Sequence, residues 1–120
     1  MVNVKEADQK IIKQVTIEPG QALKFEAEIK THDVRGSRAG AFICIMDTYW
    51  DSQMVRGTSD WQSVQLIVVN ETSESTEMPF CLRLGHYGAT VSGEAWFRNV
   101  TAYPVEIDKW QGFEVIHRLK

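Results

Sequence analysis

The sequence predicts an all-β domain, a sandwich or a barrel, and three observations carry that prediction. Its apolar segments alternate with a period of two, turn signals recur at short intervals between them, and no segment holds the 3.6-residue apolar period over the roughly 10 residues a helix needs. At least six strands are expected over the 120 residues, in one domain spanning 1–120 with its core within 11–103.

The first strand is Ile11-Ile12-Lys13-Gln14-Val15-Thr16-Ile17, and Pro19-Gly20 after it is the dipeptide of a tight turn. The next is Leu23 to Lys30, with Leu23, Phe25, Ala27 and Ile29 apolar and Lys24, Glu26, Glu28 and Lys30 charged, as in a strand with one wet face. Residues 31–40, with Gly36, Ser37, Arg38, Ala39 and Gly40, have a loop composition. Ala41 to Met46 is apolar at both parities, so it reads as a strand covered on both faces or placed centrally. With Phe42, Cys44 and Met46 directed into the core, Ile43, Ile45, Asp47 and Tyr49 share the opposite face.

Asp51 to Asp60 is polar and contains Gly57, a second loop. Trp61 to Val69 resumes the alternation through Val64, Leu66 and Val68, and Trp61 at its start is expected as a core plug or corner residue. The Glu-, Ser- and Thr-rich stretch from Asn70 to Met78 reads as a solvated loop. In Phe80-Cys81-Leu82-Arg83-Leu84, inward Leu82 and Leu84 leave Cys81 and Arg83 outward. Gly85, Gly88 and Gly93 flank a further loop, and Glu94 to Tyr103 is the last long strand; residues 104–120 add an edge strand or a tail.

Composition excludes several function classes. A net charge of −3, with 13 basic residues scattered among 16 acids, gives no field for phosphates or for an anionic membrane surface, so neither nucleic acid nor membrane is an expected partner. The longest apolar run, Ala41 to Met46, is far short of the ~20 residues of a bilayer-spanning helix. The segment MVNVKEADQK is polar where a secretory signal carries roughly 7–15 apolar residues, which predicts a cytoplasmic protein or a domain cut from a larger, secreted chain. Cys44 and Cys81 lie in apolar runs and are expected as two free thiols, Cys44 inward and Cys81 outward. The short sequons at Asn70 and Asn99 read as chance.

Enzyme templates fail on inspection, and no catalytic residues are expected. His32, His86 and His117 offer no His-x-His pair and no helical pair one turn apart, and the two cysteines are too widely spaced for a zinc knuckle. Neither a Gly-x-Ser-x-Gly elbow nor a phosphate-binding Gly-Lys-Ser/Thr loop occurs. Glu26, Glu28, Asp47 and Glu94 are candidates for paired carboxylates, but a sandwich of this size rarely forms the deep cleft that glycoside hydrolysis needs.

Three segments in order carry a resemblance to a known family: Gln14 to Lys30 with its Pro-Gly turn, Gly57-Thr58-Ser59-Asp60-Trp61, and Phe80 to Gly85 followed by Gly93 to Val100. Together they resemble the galactose-binding-like jelly rolls that serve as carbohydrate-binding modules beside bacterial glycoside hydrolases. The resemblance implies a jelly-roll sandwich of two antiparallel sheets, and a noncatalytic module that holds an oligosaccharide. Its partners would be carbohydrate and either a neighbouring hydrolase domain or a second copy of the chain. Where the family often has aromatic-Asp-Asp-Val, with one Asp helping to hold a structural calcium, this chain has Phe97-Arg98-Asn99-Val100. An arginine puts positive charge where a hard cation wants oxygen ligands, and Met1 to Lys10 lacks the family's other ligand segment, so no cofactor or metal is expected.

Sugar binding needs flat apolar faces for the C–H side of a pyranose and fixed polar groups for its hydroxyls. Tyr49, Trp50, Tyr87 and Trp96 are the candidate faces, and Asp47, Arg83 and His86 the candidate donors and acceptors. The alternative reading is a protein-interaction or structural sandwich that associates with itself.

Overall fold

The computed structural model describes residues 2–5, 9–37, 40–45, 50–85, 90–106 and 116–120. Within them the chain forms β1 (Val2–Lys5), β2 (Gln9–Ile17), β3 (Ala22–Ser37), β4 (Ala41–Ile45), β5 (Gly57–Asn70), β6 (Thr76–Leu84), β7 (Thr90–Val105) and β8 (Ile116–Leu119). They make a five-stranded sheet in the order β1-β7-β3-β5-β8 and a three-stranded sheet in the order β2-β6-β4. All pairs are antiparallel except β5 and β8, where Ile116 to Leu119 run parallel to Ile67 to Asn70 at the edge. The architecture is the β-sandwich expected, with this one parallel pair added.

Alternation in β3 sets the two faces. Leu23, Phe25, Ala27 and Ile29 are buried between the sheets with Val64, Leu66 and Val68 of β5 and Ala95 and Phe97 of β7. The three-stranded sheet answers with Val15, Ile17, Ala41, Ile43, Ile45, Met78, Phe80, Leu82 and Leu84. Phe25 and Phe80 meet edge to face across the gap, ring centroids 4.8 Å apart at 70°.

The Pro-Gly signal is a type II turn from Glu18 to Gln21, with Gly20 at φ 77° and the Gln21 N–H donating to the Glu18 carbonyl at 3.0 Å. It carries the chain from β2 in one sheet to β3 in the other. Asn70 locks this end of the sandwich. Fully buried, its Nδ2 donates to the carbonyls of Ile17 (3.0 Å) and Glu74 (2.8 Å), and its Oδ1 accepts from the Thr72 N–H at 2.9 Å. The first sequon is therefore a structural device whose amide is already engaged.

Three expectations need correction. In β4 the odd residues Ala41, Ile43 and Ile45 enter the core, and Phe42 and Cys44 lie on the outer side of the sheet. Cross-strand partners share a face, and Leu84, Leu82 and Phe80 of β6 stand opposite Ala41, Ile43 and Ile45. The inward leucines of β6 thus fix the parity of β4, which its uniformly apolar composition left open. Cys44 accordingly faces the same way as Cys81, its partner in register, and both are free and buried. The face of Ile43 and Ile45 is interior and offers no ligand surface; Asp47 and Tyr49 lie outside the described residues.

The second correction concerns strand limits. β3 continues to Ser37 and β5 begins at Gly57, although both stretches have loop composition. Bulges absorb the turn-like residues: the register shifts between His32 and Arg35, with Asp33 at φ 57°. The third concerns Trp61. The alternation that buries Val64, Leu66 and Val68 turns this ring to the opposite face, where it is half-buried.

Gly93 shows how tightly β7 passes this bulge. At φ 92°, a Cβ there would come within 2.6 Å of the His32 carbonyl oxygen, whereas Gly57, at φ 69°, has open space around it. Positive φ alone costs an alanine about 1–2 kcal/mol, and a backbone clash adds to it. Urea denaturation is expected to show Gly93→Ala losing about 3 kcal/mol or more and Gly57→Ala about 1–2 kcal/mol; equal losses would show that the bulge yields freely.

Candidate functional site

The outer face of the five-stranded sheet changes character along β3. At one end Ala22, Ile67 and Val69 form a small buried apolar cluster with Val105 and Ile116 against it. Beyond it the surface becomes polar and carries the even residues of β3. Glu26 and Glu28, with Ser63 and Asn99, line a shallow hollow of about 190 Å³. Lys30, Thr31 and His32, with Thr58, Ser59, Asp60 and Trp96, line a larger one of about 510 Å³.

Each element brings its part for a local reason. Trp96 stands between the buried Ala95 and Phe97 on β7 and opposite Lys30, so alternation places its ring on this outer face. Thr58 accepts the Asp33 N–H at 3.0 Å, which ties the start of β5 to the bulge of β3. Asp60 Oδ1 accepts the Trp61 N–H at 2.8 Å, and Ser59 Oγ accepts from Gln62 Nε2 at 2.6 Å. The Thr31 hydroxyl is different. Thr31 is 1% exposed, lines the hollow, and its Oγ1 has no hydrogen-bond partner among the described residues. Thr31 stands opposite the core residue Ala95, and cross-strand partners share a face, so this hydroxyl is directed to the interior and closed to solvent.

Beside the hollow, the Arg98 guanidinium lies 3.9 Å from the Trp61 ring centroid. Glu28 holds it there, accepting from Arg98 Nη2 at 3.1 Å on one oxygen and from Asn99 Nδ2 on the other. The hydrogen bond from Asn99 and then that from Arg98 hold the Glu28 carboxyl below its ordinary range. Carboxylate, cation and ring thus form one fixed strip next to Trp96.

Of the residues expected from sequence to bind ligand, Trp96 alone lies on this face among those described. Asp47, Tyr49, His86 and Tyr87 lie outside the described residues. Trp50 is half-buried against the core and stacks on His117, centroids 5.5 Å apart at 22°. Arg83 is on the outer side of the three-stranded sheet, its guanidinium carbon 5.8 Å from the Phe42 ring centroid. Lys30, His32, Asp60 and Trp61, which were not among the expected binding residues, also lie on this side, where the charged even positions of β3 and the Thr-Ser-Asp-Trp segment meet. No group of three His, Cys, Asp or Glu side chains among the described residues is placed to hold a metal ion.

Comparison with known proteins bears on the fold. A solved structure described as "CBM4 structure and function" superposes with a TM-score of 0.51 at 18% identity, over 78% of this chain and 59% of that one. The likeness is one of fold. The chain spans less than two thirds of that structure's length. No family model matches the sequence, and no curated protein does.

The placement of Trp50 and His117 has a measurable consequence. Burial lowers the His117 pKa from 6.5, against an opposing pull from Asp51. The unfolded chain therefore takes up this proton more readily, and the imidazole's contribution to stability is present above pH 6.5 and lost as pH falls toward its lowered folded value. Denaturation midpoints are expected to drop across that window in the parent chain and to drop less in His117→Gln; an unchanged slope would remove His117 as the cause.

Proposed function

We propose that this chain is a noncatalytic carbohydrate-binding module that holds an oligosaccharide on the polar part of the outer face of its five-stranded sheet. The observation that carries the reading is the Trp96 ring, held on the outer face with Lys30, His32 and Asp60 around one hollow of about 510 Å³. That volume lies within the range of small-molecule sites, and the ring supplies the flat apolar face a pyranose demands. Lys30, His32 and Asp60 add a cation, an imidazole and a carboxylate around the rim for its hydroxyls. The fold shared with the CBM4 structure supports the same class of ligand.

Trp96 here acts as the stacking platform, and Lys30, His32 and Asp60 as the hydrogen-bonding groups. A solvated, shallow face of this kind typically binds sugars at micromolar to millimolar strength, about −4 to −8 kcal/mol. Glycan-array screening followed by calorimetry on the hits tests the reading. Trp96→Ala is expected to weaken binding at least about tenfold while changing unfolding stability by about 1 kcal/mol or less, because the ring lies outside the core. A flat array with a clear dimer by light scattering would favour the self-associating sandwich instead.

A further inference from the structure

A second chemical site lies on the other sheet, independent of the sugar reading. Cys44 of β4 and Cys81 of β6 are register partners in the antiparallel ladder, on the same face, both free thiols, 1% and 0% exposed. Phe42 shares their cluster and Met54 packs against it. Two cysteines brought opposite each other from 37 positions apart are joined in register by the ladder alone, since Cys81 and Cys44 sit on different strands.

The hydrogen bonding of β4 tells which kind of pair this is. Ala41 exchanges two 2.9 Å bonds with Val55, Ile43 accepts from the Ser52 N–H at 2.9 Å, and Ile45 donates to the Trp50 carbonyl at 3.1 Å. The odd residues of β4 thus spend their backbone groups on segment 50–55, and those of Phe42 and Cys44 point to β6. Cys44 and Cys81 are therefore a hydrogen-bonded pair, whose Cα atoms stand about 5.5 Å apart, within the ~4.4–6.8 Å that a disulfide spans. Their Cβ atoms, typically about 5 Å apart in such a pair, must approach to roughly 4 Å. A disulfide there closes with a small local distortion, and strain of that kind makes it easier to reduce.

We propose that Cys44 and Cys81 are a reversible oxidation site that closes to a cross-strand disulfide tying β4 to β6. With a small-molecule disulfide such as oxidised glutathione as oxidant, one cysteine, as its thiolate, attacks the reagent and releases the first reduced glutathione. The second cysteine, also deprotonated, attacks the mixed disulfide and releases the other. Two protein thiols lose two protons and two electrons, and the reagent's S–S bond takes them up as two thiols. The hydrogen bond with Cys81, together with burial, raises the Cys44 thiol well above its ordinary range, so attack waits for a local opening of segment 50–55.

Native protein incubated with oxidised glutathione, then trapped with a maleimide in denaturant and weighed intact, tests the site. The expected product is a monomer about 2 Da lighter than the reduced chain with no trapped thiol, restored to two thiols by reduced glutathione. Cys44→Ser and Cys81→Ser should each abolish that product. Persistence of both thiols, or accumulation of glutathione adducts or intermolecular dimers in place of the internal bond, would overturn the proposal. So would an oxidation rate that rises only across the global urea transition, since the bond would then form from the unfolded chain. Sugar binding enters none of these readouts, so the two readings stand or fall separately.

Discussion

The contact on which the rest of the molecule hangs is the closure of the two sheets around Phe25 and Phe80. Both rings are essentially fully buried and meet edge to face. β3 is the central strand of its sheet and β6 of its own, so each aromatic has a paired strand on either side. Burying a side chain of this size contributes on the order of 2–3 kcal/mol, and the aliphatic neighbours in register add theirs. Once Phe25 points inward, period two leaves Leu23, Ala27 and Ile29 inward as well, and the charges of β3 have only the outer face to occupy.

That constraint makes the candidate site. A strand that alternates strictly presents a row of Lys and Glu side chains at about 7 Å intervals, too regular to enclose anything by itself. The bulge after His32 breaks the rhythm, and it is there that two successive residues, His32 and Asp33, are exposed. Gly93 lets β7 pass close to the bulged backbone, and Thr58 pins it from β5. The hollow is thus a product of irregularity in the sheet, floored by strands rigid enough to hold Trp96 in place. Arg98, fixed by Glu28 and Asn99 over Trp61, gives the neighbouring surface the same rigidity.

The three-stranded sheet follows a different logic, with apolar residues on both sides. Its inner side fills the core, and its outer side carries Phe42, Cys44 and Cys81 with Met54 against them. Segment 50–55 completes the free edge of β4 with backbone hydrogen bonds, and the buried Ser52 hydroxyl accepts the Ile43 N–H at 3.0 Å. A polar loop by composition therefore serves as an edge cover, which protects β4 from pairing with another chain. Trp50 begins that cover and is anchored between the core and His117, which is why its exposure could not be judged from its position in a loop.

The sequence by itself determined the all-β class, the Pro-Gly turn, the inward set of β3, β5 and β6, and Trp96 as a candidate platform, because each follows from a period of two or from the backbone freedom of a glycine. It did not determine the parity of β4, since a strand apolar at every position is compatible with either face inward. Register with Leu82 and Leu84 decided it, and with it the meeting of Cys44 and Cys81. Nor could it reveal that residues 31–37 and 57–60 are bulged strand, because composition reports a backbone's permitted conformations and tertiary pairing selects among them. The hollow beside Trp96 became visible only in three dimensions. It is lined from β3, β5 and β7 together, and no local pattern of residues encodes their meeting.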